Sequence, residues 1–150
     1  MTPQQDEITY PQNTTIAVIP EYAPIINLTY GSSTIFYIIT GTESYLINCG
    51  TEAYGPVISD DLRGLGFDVF TLIVTNDSYD TISGCSEIIL SFPRINQVII
   101  LDTQGGSDYS IVTDYAISSK VIFDPTYKIS YRNVTLSMTE ILSGNKIQVN

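Results

Sequence analysis

Three short apolar runs constrain the fold of this chain more than any other feature. They are "DVFTLIVT" (68–75), "QVIIL" (97–101) and "KVIFD" (120–124). Each is nearly unbroken, as expected for strands covered on both faces. Segments of a different rhythm lie between them. In "GTEAYGPVISDDLRGLGF" (50–67), Val57, Ile58, Leu62 and Leu65 recur at helical spacing and Gly66 is a suitable C′ residue. In "DTISGCSEIILSF" (80–92), Ile82, Cys85, Ile89 and Phe92 share one face, Asp80 is a candidate N-cap, and Pro93 stops the run. "GGSDYSIVTDYAIS" (105–118) reads as a loop and a short helix. Strands alternating with helices over short links predict a parallel sheet with right-handed crossovers. The expected helices are 53–64 and 80–92. The expected central strands are 69–75, 97–101 and 119–124.

The flanks have a period of two. "TTIAVIP" and "PIINLTY" are bounded by proline, and "STIFYIIT" and "ESYLINC" read as a hairpin about Gly41-Thr42. After Pro125, "YKISYRN", "VTLSMTEIL" and "NKIQVN" read as an antiparallel meander. Residues 1–20 read as an extended N-terminal arm and 21–150 as a single α/β domain.

Composition excludes several functions. The net charge is −10, and the six Lys and Arg residues are scattered singly, so no nucleic-acid partner is expected. No apolar run reaches the roughly 18 residues of a membrane span, and no secretory leader is visible in "MTPQQDEITYPQ". Histidine is absent, which excludes Ser-His-Asp and Cys-His catalysis within the chain. Paired carboxylates would have to come from distant residues such as Glu52, Asp80 and Asp102. The two cysteines, Cys49 and Cys85, are either separate buried thiols or one disulfide. Four sequons, at Asn13, Asn27, Asn76 and Asn133, are candidate N-glycosylation sites and point to an extracellular or cell-surface location.

The run "YLINCG", the helix after it, and "LGFDVFTLIVTNDSYDTISGCSEIILSFPRINQVII" together resemble the metallo-β-lactamase superfamily. The resemblance is nearest to the branch fused to bacterial DNA-uptake channel proteins, and it covers residues 34–101 best. In that family a hairpin ends in Asp-x-Gly, and a later strand leads into His-x-His-x-Asp-His and a Gly-Gly helix start. Carried over, the three histidines fall on Asn76, Ser78 and Thr81, and the aspartate on Asp80, which is kept. The Gly-Gly falls on Ser83-Gly84, and Asp-x-Gly on Asn48 and Gly50. Amide and hydroxyl groups are poor zinc ligands, so no metal or other cofactor is expected. Without a metal the hydrolytic water is not activated, and the chain is expected not to be an enzyme. The resemblance also implies that Cys49 and Cys85 border one cleft and could form a disulfide.

The family is usually longer, with two similar halves in an αββα sandwich. The expected fold is therefore a reduced half of that sandwich: a mixed sheet with flanking helices, and β-hairpin regions at both termini. A sheet left partly uncovered favours self-association. Tyr outnumbers Phe by 11 to 5, which also suits interfaces. The expected function is a non-catalytic structural subunit, self-assembling into an extracellular or cell-surface layer, sheath or filament. The alternative is a soluble pseudoenzyme that binds a ligand or protein in the former active-site cleft.

Overall fold

The computed structural model describes residues 11, 13–17, 24–143 and 146–148. Its strands are β1 (Thr14–Ala17), β2 (Ile25–Tyr30), β3 (Ser33–Ile39), β4 (Ser44–Ile47), β5 (Thr71–Val74), β6 (Gln97–Ile100), β7 (Lys120–Phe123), β8 (Lys128–Tyr131), β9 (Val134–Ser137) and β10 (Lys146–Gln148). Its helices are α1 (Gly55–Gly64), α2 (Tyr79–Ile82), α3 (Cys85–Ser91), α4 (Ser110–Thr113) and α5 (Met138–Leu142). An eight-stranded sheet runs in the order β10-β1-β2-β3-β4-β5-β6-β7. It is antiparallel from β10 to β4 and parallel from β4 to β7. The mixed sheet with flanking helices is the expected architecture. The three apolar runs form its parallel half.

Helix α1 buries Ile58 and Leu62 one turn apart against the sheet. It ends in a Schellman motif: the Phe67 amide reaches Leu62 O at 3.0 Å, the Gly66 amide reaches Arg63 O at 3.0 Å, and Gly66 takes φ +91°. Beneath it runs a chain of edge-to-face rings. Tyr37 meets Phe67 at 5.3 Å, Phe67 meets Phe70 at 5.2 Å, and Phe70 meets Phe92 at 5.3 Å. These rings lock the helix layer to β3 and β5.

The helix expected over 80–92 is two helices. Ser83 and Gly84 separate α2 from α3, and α2 starts at Tyr79 with Ser78 as N-cap, so Asp80 lies inside the first turn.

The C-terminal region departs further from the expected meander. Among the described residues, strands β8 and β9 pair only with each other, turning at Arg132 with φ +57°. Met138–Leu142, expected to be part of a strand, is α5. A reciprocal capping box starts it: the Glu140 amide donates to Ser137 Oγ at 3.2 Å, and the Ser137 amide to Glu140 Oε1 at 2.9 Å. Strand β10 then pairs with β1 rather than with β9.

The hairpin and α5 cover the face opposite the helices. Ile129, Leu136, Met138 and Ile141 pack there with Ile25, Phe36, Ile38, Tyr45, Ile47, Ile73 and Ile99. Of the face or edge that a half-sandwich is expected to leave uncovered, this face is covered from within the chain. In the segment expected as an arm, Thr14–Ala17 is a strand of the sheet. Residues 1–10, 12 and 18–20 lie outside the described residues.

Candidate functional site

Strands β4 and β5 run parallel, so residues just past their C-termini converge. Ligands of α/β folds gather in such a crevice. Asn48 follows β4 with φ +74°, a left-handed conformation that Asn adopts more readily than most side chains. This turns its amide toward the residue after β5. Asn48 Oδ1 accepts the Thr75 amide at 2.9 Å, and its Nδ2 lies 3.0 Å from Thr75 Oγ1. The Asn48 amide donates to Ile73 O at 2.7 Å. Asn48 is buried, and its side-chain amide is held by Thr75, the residue after β5.

The loop after β5 is self-contained in the same way. Asn76 Oδ1 accepts the Ser78 amide at 2.9 Å, and Ser78 Oγ lies 2.8 Å from Thr81 Oγ1. Asp80 Oδ1 accepts from Thr51 Oγ1 at 3.1 Å, and Thr51 in turn hydrogen-bonds Ser33. Ser32 Oγ stands 3.4 Å from Asp80 Oδ2. The structure thus sets Asn76 and Ser78, on the loop after β5, next to Asp80 and Thr81 in the first turn of α2, with Asn48 beside them. Hydroxyls and amides hold them together. Among the described residues no group of three or more His, Cys, Asp or Glu side chains could hold a metal ion.

Behind this loop Cys49 and Cys85, 36 positions apart in sequence, are joined by a disulfide with Cα atoms 5.0 Å apart. It ties the end of β4 to the start of α3. Both cysteines are fully buried. The Gly84 amide donates to Gly50 O at 2.8 Å, and the Cys49 amide to Thr81 O at 3.0 Å. A Cβ on Gly84 would stand 2.6 Å from Cys49 O, so only glycine fits. Ser83 Oγ accepts the Glu52 amide at 2.8 Å.

The residues that sequence reasoning missed are Thr75, Thr51, Ser33 and Tyr79. Tyr79 Oη donates to Glu52 Oε1 at 2.7 Å, and this bond is the main cause that raises the phenol above its ordinary range. Beside Tyr79 lies a cleft of ≈ 260 Å³ lined by Asp77, Tyr79, Ile82, Asp108, Ser110 and Ile111. At its rim Tyr109 is pushed up to about 12, first by burial and then by the Asp102 carboxylate. No sequence signal marked these residues, because each contact joins segments far apart in the chain.

The sequons differ in presentation. Asn76 and Asn133 are exposed, Asn13 donates to Thr29 O at 2.5 Å, and Asn27 is 5% exposed, with its amide inside the sheet.

Solved structures place this arrangement in a known architecture. The chain is similar to the metallo-β-lactamase SMB-1 in complex with mercaptoacetic acid, at 15% identity and TM-score 0.54 over 84% of this chain and 52% of that one. It is similar to MEM-A1, a subclass B3 metallo-β-lactamase from a soil metagenome library, at 18% identity and TM-score 0.54, covering 81% and 49%. A variant of FEZ-1 from Legionella gormanii matches at 17% identity and TM-score 0.50, covering 75% and 48%. The chain spans between about a third and a half of the length of the solved structures it matches. No family model and no curated protein matches it. The shared property is the fold: a partial metallo-β-lactamase-like α/β architecture.

Proposed function

We propose that this chain is a non-catalytic structural subunit that assembles with copies of itself into an extracellular or cell-surface layer, sheath or filament. One observation carries the non-catalytic part. Where the fold's relatives are metallo-β-lactamases, this chain has Asn48, Asn76, Ser78 and Thr81, hydrogen-bonded within its own loop and strand ends, in front of a disulfide. A hydrolase of this architecture needs an activated water; amides and hydroxyls are poor metal ligands, and the one carboxylate beside them, Asp80, is taken by the Thr51 and Ser32 hydroxyls. We further propose a kinship with the branch joined to DNA-uptake channels, supported by the order Leu65-Gly66, strand, loop, helix and Phe92-Pro93 link.

Self-assembly draws support from a surface with few charges and several exposed apolar side chains, among them Val57, Leu90 and Ile117. The disulfide and the exposed sequons Asn76 and Asn133 suit an oxidising, extracellular setting.

The test is light scattering and negative-stain imaging of the purified chain, with elemental analysis. The reading expects particles far larger than 16.6 kDa and no stoichiometric zinc, manganese or iron. About one metal ion per chain, lost on Asp80→Ala, overturns the non-catalytic part. A monomer at every concentration overturns the assembly part.

The second reading is a soluble pseudoenzyme that binds a ligand or protein in the former active-site cleft; the cleft lined by Asp77, Tyr79 and Ile82, next in sequence to Asn76, Ser78 and Asp80, supports it. A monomer whose Tyr79 and Ile111 resonances shift in a fragment screen would establish it.

A further inference from the structure

Strand β7 ends the sheet. Among the described residues it pairs with β6 alone, so its other edge carries unpaired backbone groups. The hydrogen-bond alternation identifies which. The Lys120 amide donates to Asn96 O at 3.3 Å and the Asp124 amide to Ile100 O at 2.9 Å. Residues 120, 122 and 124 therefore turn their backbone groups toward β6, and Val121 and Phe123 turn theirs outward.

The outward groups belong to the stretch Lys120-Val-Ile-Phe-Asp124, which is self-complementary when read backwards. We propose that β7 pairs antiparallel with β7 of a second copy, about a two-fold axis through Ile122. In this register Val121 exchanges both hydrogen bonds with the partner's Phe123, and Phe123 with the partner's Val121, so all four outward N–H and C=O pairs are used. Ile122 faces the partner's Ile122. Lys120 faces the partner's Asp124, twice, at positions where cross-strand side chains approach most closely.

Shifting the register two residues either way sets Ile122 opposite a charge. One of those shifts also aligns Val121 with the partner's Pro125, which has no amide to give. Asp124 Oδ1 is occupied by the Thr126 amide and hydroxyl, each at 3.0 Å, while Oδ2 has no partner among the described residues. A lysine at an edge commonly discourages pairing; opposite a carboxylate it marks the register instead.

A four-residue edge is small against the roughly 800 Å² per partner of a stable contact. Adjoining the start of β7 is an apolar groove of ≈ 210 Å³, lined by Leu90, Phe92, Pro93, Tyr115, Ile117 and Ser119. Leu90 is 69% exposed and Ile117 85%. In the antiparallel arrangement residues 118 and 119 at this rim fall opposite the partner's residues 126 and 125.

The β7 contact rests on the self-assembly reading and supplies one of its contacts, which by its two-fold symmetry joins copies in pairs. The test is sedimentation of the full chain and its variants, with circular dichroism to confirm folding. Val121→Pro removes an outward amide and leaves the β6 ladder intact; it is expected to weaken association at least tenfold. Lys120→Glu alone and Asp124→Lys alone are expected to weaken it similarly, by setting like charges opposite each other. An equimolar mixture of these two variants is expected to restore association, because the carboxylate introduced in one chain then faces the ammonium introduced in the other. If the wild type assembles and all three variants assemble equally well, the β7 contact is wrong and the assembly reading stands. If the wild type stays monomeric at every concentration, both fall.

Discussion

The Gly84 amide reaches Gly50 O at 2.8 Å, and this contact leaves no room for a side chain at residue 84. The nearest atoms to an added Cβ are backbone carbonyl oxygens, which cannot swing aside as a side chain can. Gly84→Ala is expected to cost about 2–3 kcal/mol through overpacking, read by urea unfolding. A change under about 0.5 kcal/mol would mean that the α2–α3 junction does not sit on β4 as described.

The Cys49–Cys85 bridge closes a loop across 36 positions. In the chain-entropy model its loss costs roughly 3–4 kcal/mol. Reduction, or the Cys49→Ser, Cys85→Ser double substitution, is expected to lower the melting temperature by roughly 6–16 °C, at about 2–4 °C per kcal/mol for a domain of this size. Alkylation of the denatured, unreduced chain followed by intact-mass measurement is expected to add no label. Two labels would show free thiols.

Tyr30 is buried and donates to Asp61 Oδ2 at 2.5 Å. Burial first, and then the Asp61 carboxylate, raise its pKa well above the usual phenol value. A raised folded-state pKa favours the protonated form in the folded chain. That contribution is complete below the unfolded value of about 10 and is lost as pH rises toward the folded value. Wild-type stability is expected to fall above about pH 10. Tyr30→Phe is expected to be less stable by about 1 kcal/mol near pH 7 and to fall less steeply above pH 10. Urea midpoints at pH 7, 9, 10 and 11 measure both; parallel curves would remove Tyr30 as the cause.

The capping box of α5 gives an acid-side prediction. The backbone and hydroxyl of Ser137 hold the Glu140 carboxyl below its ordinary range. This contribution is complete above the unfolded carboxyl value and fades as pH falls through the lower, folded one. Ser137→Ala is expected to cost about 1 kcal/mol at neutral pH. The difference between wild type and Glu140→Gln is expected to shrink below about pH 4. Equal stability of Ser137→Ala and wild type would mean that α5 does not depend on this cap.

The parallel half of the sheet was readable because its burial is local information: an apolar run covered on both faces looks the same wherever the chain goes next. Helix α1 was readable for the same reason, through Ile58, Leu62 and Gly66. Helix α5 carried a signal that the alternation of "VTLSMTEIL" concealed. Ser137 and Glu140 form the Ser-x-x-Glu pattern of a helix start, and that local bond outweighs the weak strand rhythm. The pairing of β10 with β1 had no local sign, because a register between residues some 130 positions apart is set by tertiary packing alone. At the site, the resemblance assigned the motif positions Asn48, Asn76, Ser78, Asp80 and Thr81. Their partners Thr75 and Thr51 could not, since nothing about an isolated threonine says which strand end it will meet.

The hairpin of β8 and β9 has a geometric consequence for any larger architecture. With Ile129, Leu136, Met138 and Ile141 roofing one face and the helices flooring the other, the sheet has no broad side left for stacking. Backbone pairing can add to it only in its own plane, at the rims. The two-fold β7 contact closes two copies into one continuous sheet, and growth beyond that pair would have to use the opposite rim at β10.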